Sequence, residues 1–524
     1  MRPEPDPNGL EGHLQVAEGP ELYLGIVSPT GTDLDAVCTA LSTALRRVNY
    51  DSEVIRLSPL LGEVRNAPWD LAQEPEDERI RTHQDAGDRL CSDMKRLDAV
   101  ALLGILRMTK RTARPSPRKA FIIRSLKRPE EVETLRKIYG PWFYVVAAYS
   151  PRELHKARLE GRIRDEHLLM TPSEVEAAAD QLLRRDEGRE KSSSQNLADT
   201  FHQADVFVDA RTDARLTDST QRFVDLLFGT RLITPSRDEY GMFHALCSAM
   251  RSSSLSRQVG TAISNEDGEV VAMGTNEVPL AGGGFYWDDD DEDDRDHRDY
   301  KTLDRREPSL VRRRKLLAEV LDRLRPWMTL ERQTLIQNQV NRAVDDAWSS
   351  LMQGSQLTSL IEFQRTVHAE MAAVTDACRR GVSVEDATLY STTYPCHLCA
   401  KHIVAAGIKR VVYVEPYPKS RAIEFYPDSI VHDPLEKKPG RVPFEAFVGV
   451  APLRYLELFQ AEEGERAVDG VIVEFEQRRD TAQPRVGQPR QPEPLYLAVL
   501  ANELTFAQLI VDRLEEIYGS QEEA

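Results

Sequence analysis

Two short stretches, His368-Ala369-Glu370 and Pro395-Cys396-His397-Leu398-Cys399, decide how this chain is read. Together they offer three zinc ligands, His368, Cys396 and Cys399, and one carboxylate, Glu370, that need not bind the metal. A structural zinc closes with four protein ligands. A catalytic zinc takes three and keeps a position for water, whose pKa it lowers toward neutrality. A carboxylate two residues past the histidine is suited to accept that water's proton and pass it on. Cys396 and Cys399, three apart, project from one side of a helical first turn, where the helix dipole and its free N–H groups favour thiolate. Pro395 suits the start of such a helix. His368 and Glu370, two apart, diverge in mid-helix and converge only on something lying off a helix end. The competing reading is a structural zinc, closed by Glu370 or by His397, although a histidine between the two cysteines points elsewhere.

The flanks predict an α/β unit. A strand over 387–392 runs into the cysteine helix, Ile403 through Gly407 closes that helix, and Arg410 to Val414 forms a second buried strand. Ligands at a strand-to-helix turn are where an open α/β sheet places its site.

The ordered pair His-x-Glu and Pro-Cys-x-x-Cys is the signature of zinc nucleobase deaminases. To it the chain adds Ser256-Arg257-Gln258-Val259-Gly260, a strand-turn-strand over Ala262 to Met273, and the turn Gly274-Thr275-Asn276-Glu277-Val278-Pro279. In these segments it resembles the deoxycytidylate deaminases of the cytidine deaminase superfamily. The resemblance implies a three-layer α/β/α domain and one catalytic zinc per chain on His368, Cys396 and Cys399. It also implies hydrolytic attack at C4 of a cytosine ring, with Glu370 moving the protons, and a contact from Asn276 to the substrate sugar. Arg257 is a candidate substrate-binding residue, as a phosphate or a structural contact. The plain alternative for Asn276 is a turn residue that tolerates positive φ.

Residues 277–367 separate Asn276 from His368 where a compact deaminase has a short connection. Trp287 to Asp294 is an acidic run, read as a solvated loop; it lacks the glycine and terminal glutamate of a calcium loop. Leu310–Leu324 and Leu330–Leu351 read as amphipathic helices. They cover the active site or form a subunit interface, which favours a homo-oligomer.

The first half needs its own account. Glu21 to Asp33 is an apolar strand entering a small-residue loop, followed by a helical run from Leu34 to Val48. That is the plan of a P-loop, in which backbone N–H groups and a helix N-terminus cradle phosphate. The lysine is missing: Gly31-Thr32-Asp33 stands in its place, and Asp33 repels phosphate. Gly25, Gly31 and Thr32 are the candidate nucleotide-binding residues, with a ligand-free turn as the equal alternative. Strands are expected over Leu97–Leu106, Ala120–Arg124, Trp142–Ala148 and Ala204–Asp209, with a helix running to Ile138. The alternation predicts a mainly parallel, P-loop NTPase-like sheet. Lys110, Arg111, Arg114, Arg118 and Lys119 form a basic cluster, read as a solvated lid or as a contact to phosphates or nucleic acid. A P-loop-like domain without its lysine followed by a deaminase resembles the bacterial anti-phage deoxycytidine nucleotide deaminases, from about Leu22 to Arg454. That resemblance implies dCTP or dCMP as substrate, depletion of a DNA precursor during phage infection, a nucleotide ligand for the first domain and, in some members, an inhibitory RNA partner.

The expected layout is therefore a disordered tail over 1–20, a degenerate P-loop domain over 21–235, and a deaminase over 236–460 with a helical insertion at 285–360. A C-terminal appendage follows over 461–524, strand-like and then helical, after a Pro/Gln linker at Pro484–Pro494; 184–194 reads as an exposed helix end or linker. A net charge of −18 over 524 residues argues against a polynucleotide substrate. Six cysteines without a disulfide framework fit a reducing cytoplasm. No leader and no apolar run of about 18 residues is seen, so neither export nor a membrane span is expected. Two further readings stay open: an RNA-binding regulator with a structural zinc, and a deaminase that edits a base in RNA or DNA.

Overall fold

The structure is a computed structural model. It describes residues 21–109, 118–167, 169–186, 195–230, 232–293, 296–301, 307–338, 360–416, 420–434, 439–460 and 492–519, with isolated positions in 342–355 and 467–485. The expected tail 1–20, Lys110, Arg111 and Arg114 of the basic cluster, 187–194 and most of Pro484–Pro494 lie outside the described residues. The chain divides into two compact units, 1–236 with 448–524, and 237–447. Among the described residues no helix is long and apolar enough to cross a membrane.

In the first unit, β1 (Leu22–Val27) is buried along its whole length. It leads through the small-residue loop into α1 (Leu34–Arg46). The remaining strands are β2 (Asp51–Arg56), β3 (Lys119–Leu126), β4 (Phe143–Tyr149) and β5 (Val206–Asp209), and the sheet runs β5-β4-β1-β3-β2 with every one of these pairings parallel. A short strand, Gly449–Val450, adds antiparallel to β5. Residues 448–460, expected with the deaminase, therefore belong to this unit. In the C-terminal appendage, the short strands Ala467–Val468 and Val471–Ile472 pair antiparallel, and the part from Leu495 to Tyr518, where a strand-like start was expected, lies in one helix, Pro492–Tyr518. That helix packs on the body of the first unit against α2 (Ala99–Thr109).

That α2 is a helix corrects the strand expected over Leu97–Leu106. Eight of its eleven residues are buried, so almost the whole circumference is apolar and the 3.6-residue period disappears. An apolar run of this kind looks the same in a buried strand. The converse miss is β2, whose polar residues carry no strand signal although Asp51 to Arg56 pair in register with Lys119 to Arg124.

The loop after β1 is closed by the protein's own carboxylates. Asp33 caps α1, its Oδ1 accepting from Ala36 N at 3.0 Å. The backbone N–H of Thr30 donates to Asp186 Oδ2 at 2.7 Å, and Lys127 Nζ stands 2.8 Å from the same carboxylate and 2.7 Å from Ser28 O. Asp186 thus ends a helix, Pro172–Asp186, in a buried ion pair, where an exposed helix end was expected at 184–188. Gly31 has φ +90°, and a Cβ there would stand 2.3 Å from His155 O. Gly25 answers to packing as well, since its Cβ would meet Leu126 at 2.6 Å and Phe143 at 2.8 Å. Thr32 is buried beside them. Of the basic cluster, Arg118 lies over the Tyr50 ring and Lys119 pairs with Glu53 at 2.6 Å.

The second unit is a mixed α/β sandwich. Its sheet runs β10-β11-β9-β8-β6-β7, where β6 is Gly260–Ser264, β7 Val270–Thr275, β8 Thr388–Thr393, β9 Arg410–Glu415, β10 Ile430–His432 and β11 Val442–Ala446. β6 pairs antiparallel with β7 and β8, and the other pairings are parallel. Two glycines set the layers. A Cβ on Gly260 would fall 1.9 Å from Ala245 O in the helix Arg237–Ala249, and one on Gly274 would fall 2.1 Å from Ala369 O in the helix Ala369–Arg380. Gly260 and Gly274 occupy neighbouring pairs of the β6–β7 ladder, and successive pairs face opposite ways. The two helices therefore cover opposite faces of the sheet. Asp238 fixes the first of them by taking both Arg410 Nη groups at 2.7 and 2.9 Å and the Tyr390 hydroxyl at 3.0 Å.

The two ends of the inserted segment pair with each other through the bridge Glu277↔Val367, and the bridge Pro279↔Phe285 closes a hairpin at its start. Its described helices are Pro308–Leu324 and Leu330–Asn338. The acidic run begins a 3-10 turn, with the guanidinium of Arg251 3.4 Å from the Trp287 ring centre.

Candidate metal centre

His368 is the N-cap of Ala369–Arg380, in extended conformation at φ −66° and ψ 149°, which sets Glu370 in the first turn. Cys396 is the N-cap of His397–Ala405, and its Sγ accepts from Cys399 N at 3.4 Å. The helix-end placement expected from the spacing is thus present in both segments. Among the described residues, His368, Cys396 and Cys399 are the group whose ligand atoms converge, all within 4.8 Å of one another. His368 Nδ1 lies 3.2 Å from Cys396 Sγ and 3.4 Å from Cys399 Sγ. Tetrahedral zinc with ordinary Zn–N and Zn–S lengths holds N and S about 3.5 Å apart, so this donor set fits zinc in chemistry and in spacing.

The second imidazole nitrogen, Nε2, is held by the Oε1 of Gln364. An acceptor there puts the proton on Nε2 and leaves Nδ1 to face the thiols. Gln364 carried no sequence signal: a lone glutamine four residues before the histidine belongs to no motif.

Glu370 is buried beside the converging donor group and is not part of it. Burial, and then the neighbouring Cys396, push its carboxyl up to about 7; a zinc cation works the other way. The Cys399 thiol and the His368 ring hold Cys396 well below the usual thiol range, so one ligand is poised as thiolate. His397 does not join the group. Its ring stands edge-on to Phe425, 5.5 Å between centres, which removes the fourth ligand the structural reading needs.

A cavity of about 330 Å³ opens over this centre, with His368, Glu370 and Cys396 in its lining. Asn276 and Arg257 lie in its wall. Asn276 holds the backbone opposite: its Oδ1 accepts from Val259 N and its Nδ2 donates to Arg257 O, both at 2.8 Å. Among the described residues the positive φ values of non-glycines fall elsewhere, so Asn276 is not the turn residue of the plain alternative. Arg257 is half exposed and pairs with Glu415 at 3.0 Å, which also accepts from Thr393 Oγ1 at 2.8 Å. Gly25, Gly31 and Thr32 belong to the first unit and have no part here.

Residues 235–415 match the model of the cytidine and deoxycytidylate deaminase zinc-binding region. The chain is 49% identical over 55 residues to the deoxycytidylate deaminase of Enterobacteria phage T2, covering 10% of this chain and 29% of that protein. It is 49% identical over 53 residues to ComE operon protein 2 of Bacillus subtilis, 10% of this chain and 28% of that protein. It thus spans less than a third of the length of these curated relatives. Among solved structures, the dCMP deaminase of cyanophage S-TIM5 in complex with dCMP and dUMP aligns at 18% identity and a TM-score of 0.23, over 41% of this chain and 99% of that one.

Proposed function

We propose, from the match of residues 235–415 to the model of the cytidine and deoxycytidylate deaminase zinc-binding region, that the protein hydrolyses deoxycytidine nucleotides, dCTP or dCMP, to deoxyuridine nucleotides and ammonia. The observation that carries this reading is the buried, unligated Glu370 beside a three-ligand group that fits zinc.

His368, Cys396 and Cys399 would hold zinc, which when bound would supply a Lewis acid that makes water nucleophilic near neutral pH. The remaining work belongs to side chains. Glu370 takes a proton from the attacking water and delivers it to ring N3 as the C4–O bond forms; it then takes the remaining proton from the new C4 hydroxyl and passes it to the exocyclic nitrogen, so that the C4–N bond breaks, ammonia leaves and the C4 carbonyl forms. Burial suits this relay by raising the carboxyl's affinity for a proton, while a bound zinc would pull it back, so the two oppose each other at the carboxyl that must both accept and return a proton. Asn276 holds the 257–259 segment in place and presents the cavity wall to the sugar. Arg257 stands beside it as an anion contact.

In the cell this activity would drain the dCTP pool that a replicating phage needs. The first unit serves as a regulatory module, and its own carboxylates in the loop after β1 argue against ATP hydrolysis there. The test is ammonia release from dCMP, dCTP, deoxycytidine and a single-stranded DNA oligonucleotide by zinc-loaded protein, with Glu370→Gln as control. Turnover of a mononucleotide, lost by at least about a hundredfold in the variant, supports the reading. Turnover of the oligonucleotide alone would replace it with base editing.

A further inference from the structure

The cavity over the metal centre is completed by the insertion, and the insertion brings a cation with it. Arg313, on the helix Pro308–Leu324, lines the cavity together with Arg257 from the body. Its side chain is 13% exposed, so a charge there is largely withdrawn from solvent. Nε donates to Ser309 O at 3.2 Å, and the guanidinium carbon lies 5.9 Å from the Trp348 ring centre, both within the insertion. Its carboxylate neighbour is Glu307, which also lines the cavity, 3.8 Å from Nη2. At that separation the charges attract without a hydrogen bond. Arg257 has the matching arrangement on the body side, with Glu415 as its carboxylate. Each wall therefore presents an arginine balanced by a carboxylate, and Ser254 and Ser256 add hydroxyls to the lining.

We propose that Arg313 and Arg257 form a two-sided clamp for the phosphate of the substrate, in which phosphate takes Arg313 from Glu307. The inference rests on the deaminase reading and deepens it: the insertion makes the site one for nucleotides rather than nucleosides. A guanidinium offers a planar fork of donors that matches phosphate oxygens, and such charge-assisted bonds are about twice as strong as neutral ones. Glu307, a negative charge in the same lining, opposes phosphate until it is displaced.

Opposite signs from the two partners make the test specific. KM and kcat are measured on dCMP, dCTP and deoxycytidine for the wild type, Arg313→Ala, Arg313→Lys and Glu307→Gln. Arg313→Ala should raise the nucleotide KM at least tenfold with little change in kcat, and Arg313→Lys should restore part of it. Glu307→Gln should lower the nucleotide KM, and none of the three should alter deoxycytidine turnover. An unchanged nucleotide KM in Arg313→Ala, or an equal loss on deoxycytidine, overturns the clamp. If the wild type turns over none of the three compounds, the deaminase reading itself fails. Calorimetric binding of inorganic tripolyphosphate then decides the clamp: tenfold weaker binding in Arg313→Ala supports it, and equal binding sinks it.

Discussion

Replacing Gln364 by leucine tests how the metal centre is held. In the wild type the Gln364 carbonyl takes His368 Nε2, so the ring has one tautomer and one orientation, with Nδ1 toward Cys396 and Cys399 at 3.2 and 3.4 Å. Leucine fills similar volume and accepts nothing. The Nε2–H is then left in a partly buried position without this partner, which costs about 1–3 kcal/mol, and because the partner matters only when Nδ1 is committed to the metal, that cost falls on binding. At about 1.4 kcal/mol per decade the loss is roughly 5- to 150-fold, in line with the tenfold to hundredfold found for partners of metal-ligating histidines. Competition for zinc against a chromophoric chelator at fixed pH reads it directly. Gln364→Glu, which keeps an acceptor and adds charge, should bind zinc at least as tightly as the wild type. If Gln364→Leu held zinc within about threefold of the wild type while Cys399→Ser lost it, the positioning role would be wrong.

Other outcomes follow from single contacts. Gly274→Ala puts a methyl 2.1 Å from Ala369 O and 2.3 Å from Ala373 N, in the helix that carries His368 and Glu370; it should cost about 1–3 kcal/mol in chemical denaturation and weaken zinc binding at the same time. Chelating zinc from the loaded protein should lower its stability by about 4 kcal/mol where free zinc had stood at 1,000 times its Kd, and His368→Ala should melt the same with or without chelator. Burial holds the His155 pKa down at about 4 against an ordinary 6.5. The folded state therefore refuses a proton that the unfolded chain accepts, and stability falls as pH drops from 6.5 toward 4, by about 3 kcal/mol at the limit. His155→Asn should flatten that part of the denaturation-versus-pH curve, and an unchanged slope would refute the assignment.

The metal centre was legible because its chemistry is compressed into neighbours in sequence. Three ligands and a carboxylate at spacings of two and three residues need only helix ends to bring them together, and helix ends are what the structure supplies at His368 and Cys396. Strands flanked by turns, such as β3, β4 and β8, were readable for the same local reason. Where the reading failed, burial had erased the pattern or the partner was remote. The helix Ala99–Thr109 is apolar nearly all round and shows no period. β2 has a polar surface and is a strand only because β3 lies beside it. The strand Gly449–Val450 returns to a sheet whose neighbouring strand, Val206–Asp209, is more than two hundred residues earlier in the chain. Gln364 and Arg313 were invisible because neither belongs to a motif; the folded chain sets Gln364 against His368 and Arg313 in the cavity lining.

The acidic balance of the chain, −18 overall, poses a problem for a site meant to hold a phosphate. Long-range attraction cannot draw the substrate in, since the average field is repulsive and is screened within about 8 Å at physiological ionic strength. Affinity then has to come from local, partly desolvated cations, where pairing is stronger than in water. A bare pair of arginines in such a cavity would repel each other and be costly to desolvate. Carboxylates beside them, Glu415 for Arg257 and Glu307 for Arg313, relieve both problems in the empty site. Binding on this scheme is an exchange of one anion for another, so its strength depends on how tightly each carboxylate holds its arginine. The 3.8 Å Glu307 pair is looser than the 3.0 Å Glu415 pair, which makes the insertion side the one that yields first. Raising salt should therefore weaken nucleotide binding only modestly, because the screened long-range field was never the source of affinity. A steep salt dependence, measured as KM for dCMP from low to physiological ionic strength, would place the source of affinity outside the cavity and count against the exchange.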